Sequence, residues 1–194
     1  MDADRVERFI SGDINRFAML LFLLSEAAFF AFLIIAYVYF HGAVTSGPSA
    51  SNSLDPLKSG MYTVALLASS FTVWRAEKNY DCGRERAFAG WLLLTILLGA
   101  IFLFGQGREY THLYHLDVTV SRNTFGTSFF TLTGFHGLHV FLGLIALTIL
   151  LGVALADKSS ARQSSAVRTI ATYWHFVDWV WVVIFSIVYL WAFV

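Results

Sequence analysis

Apolar residues in this chain come in long unbroken runs. They lack the period-two alternation of a half-buried strand and the wide polar stripe of a soluble surface helix. Five runs stand out, at about Phe17 to Phe40, Leu57 to Ala76, Ala87 to Gln106, Phe125 to Ala156 and Ile170 to Val194. A helix needs about 20 mostly apolar residues to cross a bilayer, and in lipid only helices and closed barrels satisfy every backbone polar group. Barrel strands would read as segments of about ten residues with alternating polarity. The pattern therefore predicts an all-α integral membrane protein: five transmembrane helices in a single membrane domain over residues 1–194.

The breaks between runs read as linkers. "GAVTSGPSASNSLDP" (Gly42 to Pro56) is small, polar and Pro-containing, and "RAEKNYDCGRER" (Arg75 to Arg86) is a charged loop. "GREYTHLYHLDVTVSRN" (Gly107 to Asn123) is aromatic-rich, and "DKSSARQSSAVR" (Asp157 to Arg168) is Ser-rich and basic. Lysine and arginine divide unequally among them. Arg5, Arg8 and Arg16, then Arg75, Lys78, Arg84 and Arg86, then Lys158, Arg162 and Arg168 put ten on one side, against Lys58, Arg108 and Arg122 on the other. The positive-inside rule then predicts a cytoplasmic N-terminus and a periplasmic C-terminus, which an odd number of spans requires.

Composition sharpens this picture. Only 13% of residues are charged and mean hydropathy is +0.65, whereas a soluble domain carries about 25% charge. Net charge is zero, so nothing points to nucleic acid. Cys82 is the sole cysteine, which excludes an internal disulfide, a thiolate zinc site and a thiolate-held iron–sulfur cluster. The segment before the first run holds Asp2, Asp4 and Glu7, too acidic for a signal peptide, so the first helix is expected to be retained.

Candidate chemistry rests on a few polar residues inside the runs. Glu26 lies about ten residues, roughly 15 Å, into the first helix, where a carboxylate is expensive and functional unless paired. His136 and His139 sit one helical turn apart among Gly134, Gly137 and Gly143, glycines that let a neighbouring helix come close. Two ligands at i, i+3 on one helix cannot take both axial positions of a haem, and a non-haem metal would have to recruit Glu26. Buried structural histidines bonded to Glu26, backbone or lipid fit better. His175 and Asp178 repeat the i, i+3 spacing and predict an Asp–His contact, with Trp174, Trp179 and Trp181 as an aromatic interface belt. Arg108, Glu109 and Tyr110 close the third helix at the outer surface. On residues alone an independent metal- or haem-binding membrane enzyme stays open. So does a transporter with Glu26 as its proton site, although repeated halves and Gly/Pro-broken helix pairs are missing.

Four stretches in order, "RFAMLLFLLSEAAFF" (Arg16 to Phe30), "GREY" (Gly107 to Tyr110), "GTSFFTLTGFHGLHVFLGL" (Gly126 to Leu144) and "YWHFVDWVWVVIFSIVYLW" (Tyr173 to Trp191), resemble the third subunit of haem–copper terminal oxidases. The resemblance is to the five-helix bacterial form. The seven-helix form holds phospholipid in a cleft between its first two helices and the rest, and half of that cleft has no counterpart here. The resemblance implies a non-catalytic supporting subunit of a proton-pumping oxidase in the bacterial inner membrane. Its partners would be the catalytic haem–copper subunit I, the other oxidase subunits and membrane phospholipid. Haems and copper would reside on those partners, with no cofactor on this chain beyond bound phospholipid. Glu26 would be the buried carboxylate in contact with lipid or protons, and His136, His139, His175 and Asp178 buried polar helix contacts. Arg16, Trp174 and Glu109 would lie at the lipid or an interface. The alternatives within the superfamily are the matching subunit of a quinol oxidase and a companion of nitric oxide reductase.

Overall fold

The computed structural model describes residues 3–43, 56–119, 124–156 and 160–190, with side chains over 17–40, 56–119, 124–156 and 165–190. Five α-helices fill these segments: α1 (Ala3–Ala43), α2 (Pro56–Asp81), α3 (Glu85–His115), α4 (Thr124–Ala156) and α5 (Ser160–Phe185), the last continuing as one π-helical turn, Ser186–Leu190. Four of them, α1, α3, α4 and α5, are long and apolar enough to cross a membrane.

Helix neighbours define the architecture. Helices α2, α3, α4 and α5 pack each on the next, and α5 returns to α2, so the four close a ring. The α2–α3 pairing is the most extensive, and α1 lies outside the ring along the α4–α5 seam. Among its described side chains α1 buries only Phe30 and Tyr37. Phe29, Leu33 and Ile34 pack partly against the bundle, and most of the other described side chains of α1 face outward, a surface suited to lipid or another membrane helix.

Helix α2 is built differently. Its buried face repeats Ser59, Thr63, Leu66, Ser69, Thr72, Val73, Ala76 and Asn79 at three- and four-residue steps, so hydroxyls point inward where the other helices place large apolar groups. Small residues and side-chain hydroxyls are what bring helices together in lipid, where no hydrophobic force distinguishes a neighbour from an acyl chain.

Helix ends differ from expectation. The charged segment read as a loop over Arg75 to Arg86 is mostly helix: α2 runs to Asp81 and α3 starts at Glu85. The turn between them is a Schellman cap. Gly83 takes φ +69°, its N–H reaching Tyr80 O at 2.9 Å and Arg84 N–H reaching Asn79 O at 2.9 Å. The third helix, expected to stop near Gln106, runs on to His115. Asp117 at φ 60° then repeats the device, with Val118 N–H on Leu113 O at 3.1 Å, using a residue type that tolerates the left-handed region. Charged residues continue these helices because their backbone bonds are satisfied in place. The first linker lies mostly outside the described residues.

Candidate functional site

Two polar centres occupy the bundle, one on the α1–α4 seam and one inside the ring. On the seam, Glu26 and His139 meet: His139 Nε2 lies 3.0 Å from Glu26 Oε2, both groups being mostly shielded. The opposite ring nitrogen, Nδ1, lies 2.7 Å from the carbonyl oxygen of Phe135. Tyr173 of α5 donates its hydroxyl to His139 O at 3.1 Å, so three helices converge here. Phe30 stands edge-on to both histidine rings, 5.0 Å from His139 and 6.3 Å from His136.

His136 points inward. Its ring stacks on Trp181 with centroids 4.8 Å apart and 28° between planes, and stands edge-on to Phe102. Neither ring nitrogen has a hydrogen-bond partner among the described residues. One helical turn thus sends the two histidines to different tasks, one polar and one aromatic.

Inside the ring the hydrogen bonds run in one direction. Gln106 Nε2 donates to Thr133 O at 2.6 Å and to Tyr110 Oη at 3.0 Å. Tyr110 and Thr133 hydroxyls are 2.8 Å apart, and Thr133 Oγ1 gives its proton to Phe129 O at 2.7 Å, so Tyr110 is the donor of that pair. Gly137 makes room for the Gln106 amide, because a Cβ there would stand 2.9 Å from Oε1. Nearby, Glu109 accepts from Ser59 Oγ at 2.7 Å and from Tyr189 Oη at 2.5 Å, joining α3, α2 and the π turn. A carboxylate expected at the outer surface is therefore a junction between three elements.

The interface belt expected of the last helix is not what forms. Trp179 is 70% exposed, but Trp174 and Trp181 are core residues. Trp174 donates to Ser69 Oγ at 2.9 Å and Trp181 to Thr63 Oγ1 at 3.0 Å. The expected Asp–His contact is also replaced: His175 Nδ1 meets Ser70 Oγ at 2.8 Å. Asp178 is buried, and both its oxygens are without a hydrogen-bond partner among the described residues, with Ser70 the hydroxyl facing it. Where α2 ends, Arg168 Nη2 approaches Asp81 Oδ1 at 3.3 Å in an exposed pair. Burial first, then the neighbouring Asp81, push the Glu77 carboxyl up, against the pull of Arg168 and Lys78. The backbone of Arg16 lies in α1, and its side chain is outside the described residues.

Among the described residues no three His, Cys, Asp or Glu side chains group as metal ligands would. The arrangement ties helices together, and each tie across lipid-embedded helices is worth about 0.6 kcal/mol on average and about 1.7 at most. Residue type alone did not reveal Ser59, Thr63, Ser69, Ser70, Gln106, Thr133, Tyr173 or Tyr189. The available signals were Gln106 in an apolar run and the inward spacing of hydroxyls on α2.

Comparison with known proteins places this geometry. Residues 10–193 match the family model described as Cytochrome c oxidase subunit III. The chain is 38% identical over 175 residues to the probable cytochrome c oxidase subunit 3 of Nocardia farcinica, covering 88% of this chain and 84% of that one. It is 37% identical to the Mycobacterium leprae protein of the same description over 171 residues, covering 86% and 83%. It is 34% identical to cytochrome c oxidase subunit 3 of a Synechocystis strain over 180 residues, covering 92% and 76%.

Proposed function

The chain belongs to the cytochrome c oxidase subunit III family, and from that premise we propose that it is a non-catalytic subunit that steadies the haem–copper subunit of a bacterial inner-membrane oxidase. The family match over residues 10–193 carries this reading. The polar geometry supports it, because a set of side-chain hydrogen bonds joins helix to helix. In this reading haems and copper sit on partner subunits. The relatives are named for cytochrome c oxidase, which favours cytochrome c over quinol as the electron donor.

The topology proposed with it has five spans in one membrane domain, the N-terminus cytoplasmic. Helix α2, at 26 residues, is about 39 Å long at 1.5 Å per residue, enough for a hydrocarbon core of about 30 Å. Its inward hydroxyls explain its weaker hydropathy. The outward apolar face of α1 is where phospholipid and the catalytic subunit would pack, with Glu26 just inside it.

Co-purification tests the reading. A tag on this chain should bring down a haem-bearing subunit, and deleting the chain should leave an oxidase that starts at its normal rate and loses activity sooner. Glu26→Gln should leave assembly and haem spectra intact while shortening sustained proton-coupled turnover. Stoichiometric iron, copper or zinc in the isolated chain would overturn the supporting role.

A further inference from the structure

Helices α3 and α4 leave a groove of about 530 Å³ between them on the outside of the bundle. Ala100, Leu103 and Phe104 form one wall, and Phe141, Leu144, Ile145, Thr148 and Ile149 form the other. Both sets follow three- and four-residue steps, so each wall is a stripe along its helix. Leu144 is the floor, with the Trp174 indole beside it between the two helices. Phe104, Phe141, Ile145 and Ile149 stand exposed above it. Thr148, the one polar side chain in the lining, donates its hydroxyl to Leu144 O at 2.7 Å. The lining therefore offers nothing to a polar group and suits a hydrocarbon chain.

The wall on α3 ends in a cation. Its stripe continues through Gly107 to Arg108, whose guanidinium lies over the Phe104 ring, 5.9 Å from the centroid. A Cβ on Gly107 would meet nothing within 4 Å, so the way from groove to guanidinium is open. Arg108 forms no ion pair among the described residues, and the neighbouring Glu109 turns instead to Ser59 and Tyr189. Ala100 is the middle residue of α3, and Arg108 lies about 12 Å further along the axis at 1.5 Å per residue. The hydrocarbon core has a half-thickness of about 15 Å. The groove thus runs from mid-membrane toward the surface, and Arg108 reaches the phosphate level on its aliphatic stem.

We propose that this groove holds one acyl chain of a glycerophospholipid whose phosphate is bound by Arg108. Such a lipid presents the same two chemistries in the same order, and a guanidinium fork grips a phosphate through paired hydrogen bonds. The site uses only α3 and α4, one seam away from α1, and does not rest on oxidase membership.

Photo-crosslinking in the intact complex tests it. The probe is phosphatidylglycerol with a diazirine midway along one chain, supplied in nanodiscs, and labelled residues are mapped by mass spectrometry. Label should concentrate on residues 100–104 and 141–149 over the exposed face of α1 at Leu24, Phe32 and Ile35. Excess phosphatidylglycerol should displace it, whereas diacylglycerol and inorganic phosphate should not. Arg108→Gln should lower groove labelling about fivefold, the worth of one basic side chain at an anionic headgroup. Arg108→Lys should keep most of it. Ala100→Trp, which fills the groove, should abolish it and leave the α1 label unchanged. Groove labelling no higher than on α1, unaltered in Arg108→Gln, or displaced equally by diacylglycerol overturns the proposal, as do cross-links to a partner subunit in place of lipid. If Ala100→Trp does not assemble, the Arg108 and competitor comparisons still decide, and co-purification with the haem subunit reads complex membership separately.

Discussion

Substituting alanine for four helical glycines should split them into two pairs of opposite sign, and the reason is the Trp174 indole. A Cβ at Gly143 would stand 2.8 Å from Trp174 Cε3 and 2.9 Å from Cζ3. A Cβ at Gly99 would stand 2.8 Å from Cη2, and 2.9 Å from both Cζ2 and Leu144 Cδ2. Carbon atoms pack best at about 3.5–4.0 Å, so each methyl intrudes by more than half an ångström on a rigid ring. Retreat is blocked, because the ring lies between α3 and α4 and its N–H is anchored to Ser69 on α2. Overpacking of this kind costs about 1–3 kcal/mol, against a gain of up to about 1 from alanine's helix propensity. Gly143→Ala and Gly99→Ala should therefore destabilise the chain by about 1–2 kcal/mol. Gly90 and Gly152 meet nothing within 4 Å, so Gly90→Ala and Gly152→Ala should be neutral or stabilising by up to about 1 kcal/mol.

Reversible unfolding of the full chain in mixed micelles, titrated with a denaturing detergent, reads these differences. A double-mutant cycle isolates the cause. In a Trp174→Phe background the shorter ring vacates the slot, so the penalty of Gly143→Ala should fall by about 1 kcal/mol or more. Equal stabilities for Gly143→Ala and Gly152→Ala, or a penalty unchanged in the phenylalanine background, would refute the idea that this ring sets the helix spacing.

Further outcomes follow from single contacts. His136→Phe keeps the ring stack on Trp181 and removes two nitrogens with no described partner, so its stability should match wild type or exceed it. His139→Phe leaves Glu26 unpaired and should lose about 1–3 kcal/mol in the same unfolding assay. Tyr189→Phe strips a donor from Glu109 and should cost about 1–2 kcal/mol, rescued in part by Glu109→Gln, which lowers the unmet charge. Gly83→Ala places a side chain at positive φ and should cost about 1–2 kcal/mol, most visible as faster proteolysis at the α2–α3 turn.

Apolar run length was enough to read α1, α3 and α4 as spans, since lipid leaves a long apolar segment no choice but helix. Glu26 and His139 were legible for a related reason: a carboxylate and an imidazole inside long apolar runs each demand a partner, and few candidates exist. The ends of α2 and α3 were not legible, because charge was read as loop. Lysine, arginine and glutamate are good helix formers, and only Gly83 marked the true turn. The tryptophans of α5 misled for a different reason. Trp suits an interface because one edge is polar, but a hydroxyl supplied by another helix satisfies that edge equally well.

That exchange explains what holds α2. Along α5 the donors Trp174 and Trp181 are seven residues apart, and their acceptors Ser69 and Thr63 descend α2 by six. His175 with Ser70 keeps the same antiparallel register, and Tyr189 extends it to Ser59 through the carboxylate of Glu109. A slip of α2 by one turn would set Ala65 or Val73 opposite Trp174 in place of Ser69 and take Ser59 from Glu109, leaving at least one indole N–H and one carboxylate oxygen short of a partner in the interior. Each stranded group would cost about 1–3 kcal/mol, more than the register's individual bonds are worth in lipid. The helix that falls outside the four clear spans thus has its register set by polar contacts, and the information lies in pairs of residues on different helices. No single-run pattern can display it.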